Sequence, residues 1–575
     1  MAGEQVRAGS VGELRAHGRL LAKVGSVPVV VFWHDGRAYA MEDRCPHMGF
    51  PLHRGTVESG LVTCHWHHAR FDLESGSTLD LWADDARAFA VELAGDDVLV
   101  APQADGDEID RLQRRLRDGL EEGLTLVVAK SVLGLLEGGV APAEIVRTGV
   151  EFGATYRGPG WGAGLTVLVA MSNVLPRLDP ADRAAALVHA LAFVSRDTRN
   201  HAPRFPVAPL RTRGVPPERL AAWYRRFVDT RSTDAAERVL ATALAGDVDL
   251  AAVEGMMLAA VTDHVFVDGG HTLDFTNKAL EAVEMLGAGA APLVLPTLVR
   301  QTAHASRSEE GSEWRHPHDL AGLIARADGR LPEALAAGEP RRGSFDDVAG
   351  LAQRLLADEP GPVVDAVLGA LESGSTPEQL GRALAYAAAL RITRFHTQND
   401  FGDWDSVHHA FTAANALHHA LERAPGPELL RGVVHGALRV YLDRFLNVPP
   451  ARLPTAERGS LAELAGCWEV QGEVDTAGNL AYGFLRGGGT REELAAALGH
   501  ALLHEDVEFH WFQVYEAAMR QAFAWPEGSE EAALILAGLA RFLAAHTPTR
   551  RELPTVIRIA TRLRRGERLF EDGDA

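Results

Sequence analysis

The chain is short of cysteine: its 575 residues include three, Cys45, Cys64 and Cys467. That excludes a disulfide-stapled fold. It is also short of positive charge, with 57 Lys and Arg against 78 Asp and Glu and a net charge of −21. Such a surface repels phosphate backbones, so nucleic acid is not an expected partner. No stretch approaches the roughly 20 uncharged apolar residues of a membrane helix, so no membrane association is expected. The opening MAGEQVRAGSVGELR has no apolar signal core, which makes a cytoplasmic location the default. A P-loop and a Gly-x-Ser-x-Gly elbow are absent. Gly158–Gly164 is glycine-rich but lacks the strand–turn–helix setting of a dinucleotide site, so it reads as a loop between helices.

What is present begins with two compact motifs in a β-rich first hundred residues. Val27–Phe32 is a β-branched run followed by the turn signal Asp35-Gly36, and strand-like segments recur at Leu61–Cys64, Ala88–Leu93 and Val98–Val100. Between them lie Cys45-Pro46-His47-Met48-Gly49-Phe50-Pro51-Leu52 and Cys64-His65-Trp66-His67-His68-Ala69-Arg70-Phe71-Asp72, that is C-x-H, sixteen residues, then C-x-x-H. Two thiolates suit one iron of a [2Fe–2S] cluster and two imidazoles the other, and neutral imidazoles raise the potential above that of an all-cysteine cluster. Tetrahedral zinc also takes two Cys and two His, but zinc fingers space them as C-x-x-C and H-x₃₋₅-H. His53, His65 and His68 fall outside the ligand pattern.

These loops resemble the Rieske family, in its ferredoxin and oxygenase branch, over roughly residues 10–102. The respiratory branch adds a disulfide-forming cysteine to each loop, and neither is found here. The resemblance implies a [2Fe–2S] cluster held by Cys45, His47, Cys64 and His67. In the family's oxygenases a D-x-x-H motif and a second His about five residues on hold a mononuclear iron. Asp405-Ser406-Val407-His408 starts that pattern, but Ala413 and Ala414 stand where the second His belongs. The mixed α/β catalytic domain of those oxygenases is not expected either.

From Asp107 on, Ala, Leu, Glu and Arg dominate at helical spacing, as in Pro180–Val194, Asp234–Ala245, Val363–Glu372 and Glu492–Leu503. Thr376 and Thr490 open helices as N-caps. The expected architecture is therefore a small all-β domain followed by a large all-α region of duplicated helical units. The bounds read from sequence are 1–102 for the cluster domain, 103–127 for a linker helix, and 128–345 and 346–575 for two helical halves. The repeat shows in four openings: Leu136–Gly139, Leu244–Gly246, Leu371–Gly374 and Leu485–Gly488. A landmark recurs on the second helix of each unit: Asn173, Asn277, Asn415 and, by alignment, Glu516. Asn173 and Asn277 are 104 residues apart, Asn415 and Glu516 101. Units one and three also carry Val188-His189 and Val434-His435, with Asp197 and Asp443 eight residues after each His.

Histidines fall in columns of this repeat. Six residues before the landmarks stand His271, His409 and His510, with Val167 in unit one, and further upstream stand His264, His396 and His504. Asp263, Asp268, Asp400, Asp403, Asp405, Asp506 and Glu508 crowd the same linkers. Imidazole with carboxylate suits non-haem iron, so these six histidines are the candidate ligands of a second metal. His264, Asp268 and His271 share a helical face if Asp268-Gly269-Gly270 stays helical, and His500, His504 and Glu508 have i, i+4, i+8 spacing. Glu313-Trp314-Arg315-His316 precedes Pro317 and reads as a loop or helix end.

The expected function is a Rieske oxidoreductase of mono- or dioxygenase type. Its electrons would come from an external reductase or ferredoxin, since no flavin or nicotinamide motif is present, and its substrate would be a small organic molecule. A neighbouring subunit could supply the acceptor's proximity, so an oligomer is compatible with this reading. The alternative is a non-enzymatic redox relay or sensor whose helical array binds a partner protein.

Overall fold

The computed structural model describes residues 5–101, 105–156, 158, 160–212, 214–246, 248–456, 458–567 and 569, and for residues 105–107 and 401 the backbone alone. Among the described residues, nine strands lie in the first 101 positions and helices dominate thereafter. The strands are β1 (Val6–Ser10), β2 (Arg19–Val24), β3 (Val27–His34), β4 (Arg37–Glu42), β5 (Thr56–Glu58), β6 (Leu61–Thr63), β7 (Arg70–Asp72), β8 (Ala88–Ala94) and β9 (Asp97–Ala101). A six-stranded antiparallel sheet runs β1-β9-β8-β4-β3-β2, and β5-β6-β7 form a second, smaller sheet. The Asp35-Gly36 signal makes the β3–β4 hairpin: His34 pairs with Arg37, and the two loop residues take φ of 47° and 80°. Positive φ at both central positions is the turn whose twist matches paired strands. β3 is buried through Val29–Phe32, between the two cores of this domain.

The chain divides into two compact units, Met1–Ile145 with Glu552–Ala575, and Val146–Arg551. These bounds differ from those read in the sequence. In the first unit, helices Asp105–Glu122, Thr125–Glu137 and Glu552–Arg564 pack together. Arg564 Nη2 meets Glu137 at 2.6 Å, so the last helix joins the cluster domain's unit rather than the second helical half. A contact across 427 residues leaves no local signal.

The second unit is all-α among its described residues. Thr376 and Thr490 make full capping boxes with Gln379 and Glu493, as their spacing predicts. The four landmark residues lie on helices Ala163–Val174, His271–Leu286, Phe401–Arg423 and Phe509–Ala524, here the Asn173, Asn277, Asn415 and Glu516 helices. Each packs on the next around a ring, and the Glu516 helix closes it against the Asn173 helix. Residues at equal or adjacent offsets meet at equal levels: His409 with His510 and then Asn415 with Glu516, Lys278 with Glu516 and then Glu281 with Arg520. The order is the same on every pair, so the Asn277, Asn415 and Glu516 helices run side by side in one direction. No helix of the described residues is long and apolar enough to cross a membrane.

Candidate metal centres

The two cysteine loops fold alike. The Cys45 N–H donates to the Phe50 carbonyl at 2.7 Å, and the Gly49 N–H donates to the Cys45 carbonyl at 2.8 Å. In the second loop Cys64 N–H reaches Ala69 O at 2.8 Å and His68 N–H reaches Cys64 O at 2.9 Å. Both loops close through a left-handed residue, Gly49 at φ 84° and His68 at φ 63°. Gly55 lets them approach: a Cβ there would lie 2.5 Å from the Thr63 carbonyl oxygen.

This places two buried free thiols, Cys45 and Cys64, on the inner side and two imidazoles outward. The His47 and His67 rings are 4.7 Å apart, edge to face, and Trp82 covers His47 at 4.9 Å. His47 Nδ1 is buried without a hydrogen-bond partner among the described residues. Burial, with His67 and Lys130 nearby, pushes His47 down to about 4, which keeps its lone pair free. An orphaned imidazole nitrogen facing a second imidazole, with two thiols behind, fits a [2Fe–2S] cluster. His67 is exposed, so the imidazole side faces solvent. The extra histidines do other work: His53 Nδ1 pairs with Asp43 at 2.6 Å and His65 Nε2 meets the Thr56 hydroxyl at 2.7 Å.

A buried ion network braces the first loop. The Lys130 ammonium donates to the Pro46 carbonyl at 2.6 Å and sits 3.2 Å from Asp84, which also accepts from Arg115 at 2.8 Å. Against the penalty of burial, Lys130, Arg111 and Arg115 hold the Asp84 carboxyl below the usual carboxylate range. Sequence reading missed this brace, because Lys130 lies 84 residues from Pro46 inside an apolar helix.

In the helical unit the structure brings together one column of histidines and not the other. A ring nitrogen of each of His271, His409 and His510 lies within 4.8 Å of the others, and His409 Nε2 is 2.9 Å from His510 Nε2. Nitrogens sharing one metal at about 2.0–2.1 Å stand roughly 3.3 Å apart. His271 and His510 stand in the first turn of their helices and His409 about two turns into its own; Val167 keeps the equivalent repeat position on the Asn173 helix. Burial lowers all three imidazoles, and repulsion from neighbouring histidines adds to it for His409, pushed down to about 3, and His510, to about 4. They are neutral at pH 7 and able to ligate.

His264, His396 and His504 lie elsewhere. His264 is taken by Glu309 at 2.7 Å and Asp229 at 3.1 Å. Its supposed helical face with His271 is broken, because Asp268, Gly269 and Gly270 all have positive φ. His396 Nδ1 accepts from its own turn, at Gln398 N–H. His504 stacks on His500 at 3.8 Å, and the helix ends there, which turns Glu508 off that face. Conversely, His408 was seen in sequence only as a failed motif. It lies buried at ring distances of 4.5 Å from His409 and 4.3 Å from His510. Its neighbour His409 in the repeat column was the available signal.

Below the histidines the landmark residues meet in a buried polar layer. Asn173 Nδ2 donates to Glu281 at 2.8 Å and Glu516 at 3.1 Å, Asn277 to Glu281 at 2.9 Å, and Asn415 to Glu516 at 3.4 Å. Lys278 Nζ is 2.9 Å from both carboxylates, and Arg520 reaches them at 2.5 and 3.3 Å. Two cations thus balance two anions. Asp274, hydrogen-bonded by Gln513, is held up at about 8 chiefly by burial, so it is a neutral acid at pH 7. A separate cavity of about 430 Å³ lies at the start of the Asn173 helix, lined by Trp161, Leu165, Val194, Asp197, Arg300 and Gln301. Gly160 and Gly162 make room for Gln301 and Asp197: a Cβ would lie 2.5 Å from either side chain.

The Rieske [2Fe–2S] domain profile matches residues 4–106. The chain is 36% identical to the ferredoxin component of biphenyl 2,3-dioxygenase from Rhodococcus jostii over 92 residues, 16% of this chain and 86% of that one. It is 35% identical over 75 residues to the Rieske domain-containing protein of Homo sapiens, 12% of this chain and 48% of the relative, so it spans about half the length of that protein. Among solved structures, the ferredoxin of carbazole 1,9a-dioxygenase from Nocardioides aromaticivorans is 27% identical over 18% of this chain and all of its own, with a TM-score of 0.17. Through its N-terminal cluster domain the chain belongs to the Rieske [2Fe–2S] family.

Proposed function

We propose that the protein is a Rieske oxidoreductase in which electrons taken up at the cluster are spent at a non-haem iron held by His271, His409 and His510, for oxygen-dependent oxidation of a small organic substrate. The observation that carries this reading is the meeting of three neutral imidazoles from three helices, 239 residues apart in sequence from His271 to His510. Bundle cores are where such proteins build metal sites from facing helices. A site of three protein ligands leaves positions open, as an oxygen-activating iron requires.

The cluster, when bound, supplies one-electron transfer at a potential above that of all-cysteine clusters. The chain's own residues do the rest. His67 presents the cluster edge to a donor, and the exposed Leu79, Leu81 and Trp82 beside His47 give a donor an apolar surface to dock on. The donor is a separate reductase or ferredoxin. The cavity at Trp161 has the volume of a small-molecule site and lies at the start of the Asn173 helix.

The test is iron and sulfide analysis of anaerobically purified protein, with oxygen consumption driven by a reductase. More than two irons per two sulfides, with the excess and the oxygen uptake both lost in His409→Ala while the cluster spectrum stays, is expected. Two irons only, and oxygen uptake indifferent to His409, would favour the relay or sensor reading.

A further inference from the structure

We propose that the three-histidine site is one half of a two-cation centre, whose second half is Asp405, His408 and His510. This rests on the reading that His271, His409 and His510 hold a metal. Ligand atoms of Asp405, His408 and His510 also lie within 4.8 Å of one another. The two sets share His510, and the Asn415 helix supplies both, His409 to one and His408 to the other.

The independent observation is the state of the His408 ring. It is 2% exposed, and neither Nδ1 nor Nε2 has a hydrogen-bond partner among the described residues. Buried polar atoms are almost always satisfied, and a ring with both nitrogens unsatisfied calls for a ligand. Among the described residues the carboxylate paired with it is that of Asp405, one turn earlier, with Oδ1 3.8 Å from Nε2. That is too long for a hydrogen bond. Ligands at about 2.0–2.2 Å on one cation stand roughly 3.4 Å apart, so a swing of the exposed Asp405 side chain by a few tenths of an ångström would let it share a cation with Nε2. Asp405 is open to solvent on its other side, which gives a cation a way in. His510 Nε2 is engaged by His409. Imidazole with a single carboxylate selects the borderline divalent metals, iron, cobalt and zinc among them, over magnesium or calcium.

Cobalt(II) tests this, since it is countable apart from cluster iron. The full chain with its cluster intact is dialysed against cobalt chloride without oxygen, in a His500→Ala background. That change removes the exposed His500–His504 pair beside Asp182, which could chelate cobalt on its own. Two cobalt ions per chain are expected, falling to one in Asp405→Asn, in His408→Asn and in His271→Ala. The EPR intensity per cobalt should rise in those variants as a magnetically coupled pair becomes a single ion. Asp405 is on the surface, so its variant reports even if His408→Asn fails to fold. One cobalt in the parent, unchanged by Asp405→Asn, would overturn the second half and leave the three-histidine site standing. No cobalt at all would overturn both.

Discussion

The cluster domain and the helical unit both gather imidazoles above a buried ion network, but by different routes. The residues that would hold the cluster span 45–67, and two loops with the same backbone closure position all four. The three helical histidines span residues 271–510 and meet only because equal offsets in repeated units reach equal levels of one bundle. A site of the first kind is specified by local turn geometry; one of the second kind inherits its geometry from the packing of the whole unit. The two should therefore fail independently.

The largest effect expected is all-or-none. Cys64→Ser should abolish cluster assembly, read as loss of stoichiometric sulfide and of visible absorbance, because the thiolate pair holds one iron outright. Far-ultraviolet circular dichroism of the helices, and cobalt uptake at His271, His409 and His510, should be retained. Loss of both sites together would break the comparison.

The complementary lesion is Lys278→Met. It leaves Glu281 and Glu516, 4% and 1% exposed, with Arg520 but without the more deeply buried of their two shared cations. Removing one partner of a buried ion pair costs about 3–5 kcal/mol. Denaturant unfolding followed by helical circular dichroism should show a loss of that size, and the cluster spectrum should be unmoved.

These differences explain what was legible from sequence. The β-domain and its hairpin at Asp35-Gly36 follow from spacing and turn chemistry, and the four residues read as cluster ligands sit on two short loops within residues 45–67. The helices and their caps at Thr376 and Thr490 were equally readable. The repeat column at 271, 409 and 510 pointed to residues that do meet. The upstream column at 264, 396 and 504 did not, because those residues precede the landmark helices in turns and helix ends that differ from unit to unit. Lys130 on the Pro46 carbonyl and Arg564 on Glu137 had no signal, since each is a single contact between distant segments.

Asp274 offers a smaller, pH-dependent test of the helical side. Its folded pKa, about 8, lies above the ordinary 3.8. The unfolded chain therefore releases this proton near pH 4 while the folded chain keeps it. Stability contributed by the neutral acid is full below pH 4 and declines as pH rises toward 8, at up to about 1.4 kcal/mol per pH unit. Asp274→Asn should flatten the unfolding free energy across pH 4–8. A profile as steep as that of the parent would show that the acid is ionised in the fold.

The mildest change, Lys130→Met, sharpens the comparison from the cluster side. Lys130 bridges the Pro46 carbonyl and Asp84 and is 7% exposed, so its charge is poorly screened. Arg115 still pairs with Asp84 at 2.8 Å after the substitution, which keeps the domain folded. An electron added to the cluster loses the attraction of one nearby cation. The potential should fall by on the order of 50 mV, about 1 kcal/mol for a one-electron couple. A redox titration followed by visible circular dichroism measures it. Cobalt affinity at the three histidines should be unchanged, because the charged groups that act on that site, Asp268 and Arg439, lie within its own unit. A shift in both would mean that the two units share one electrostatic environment.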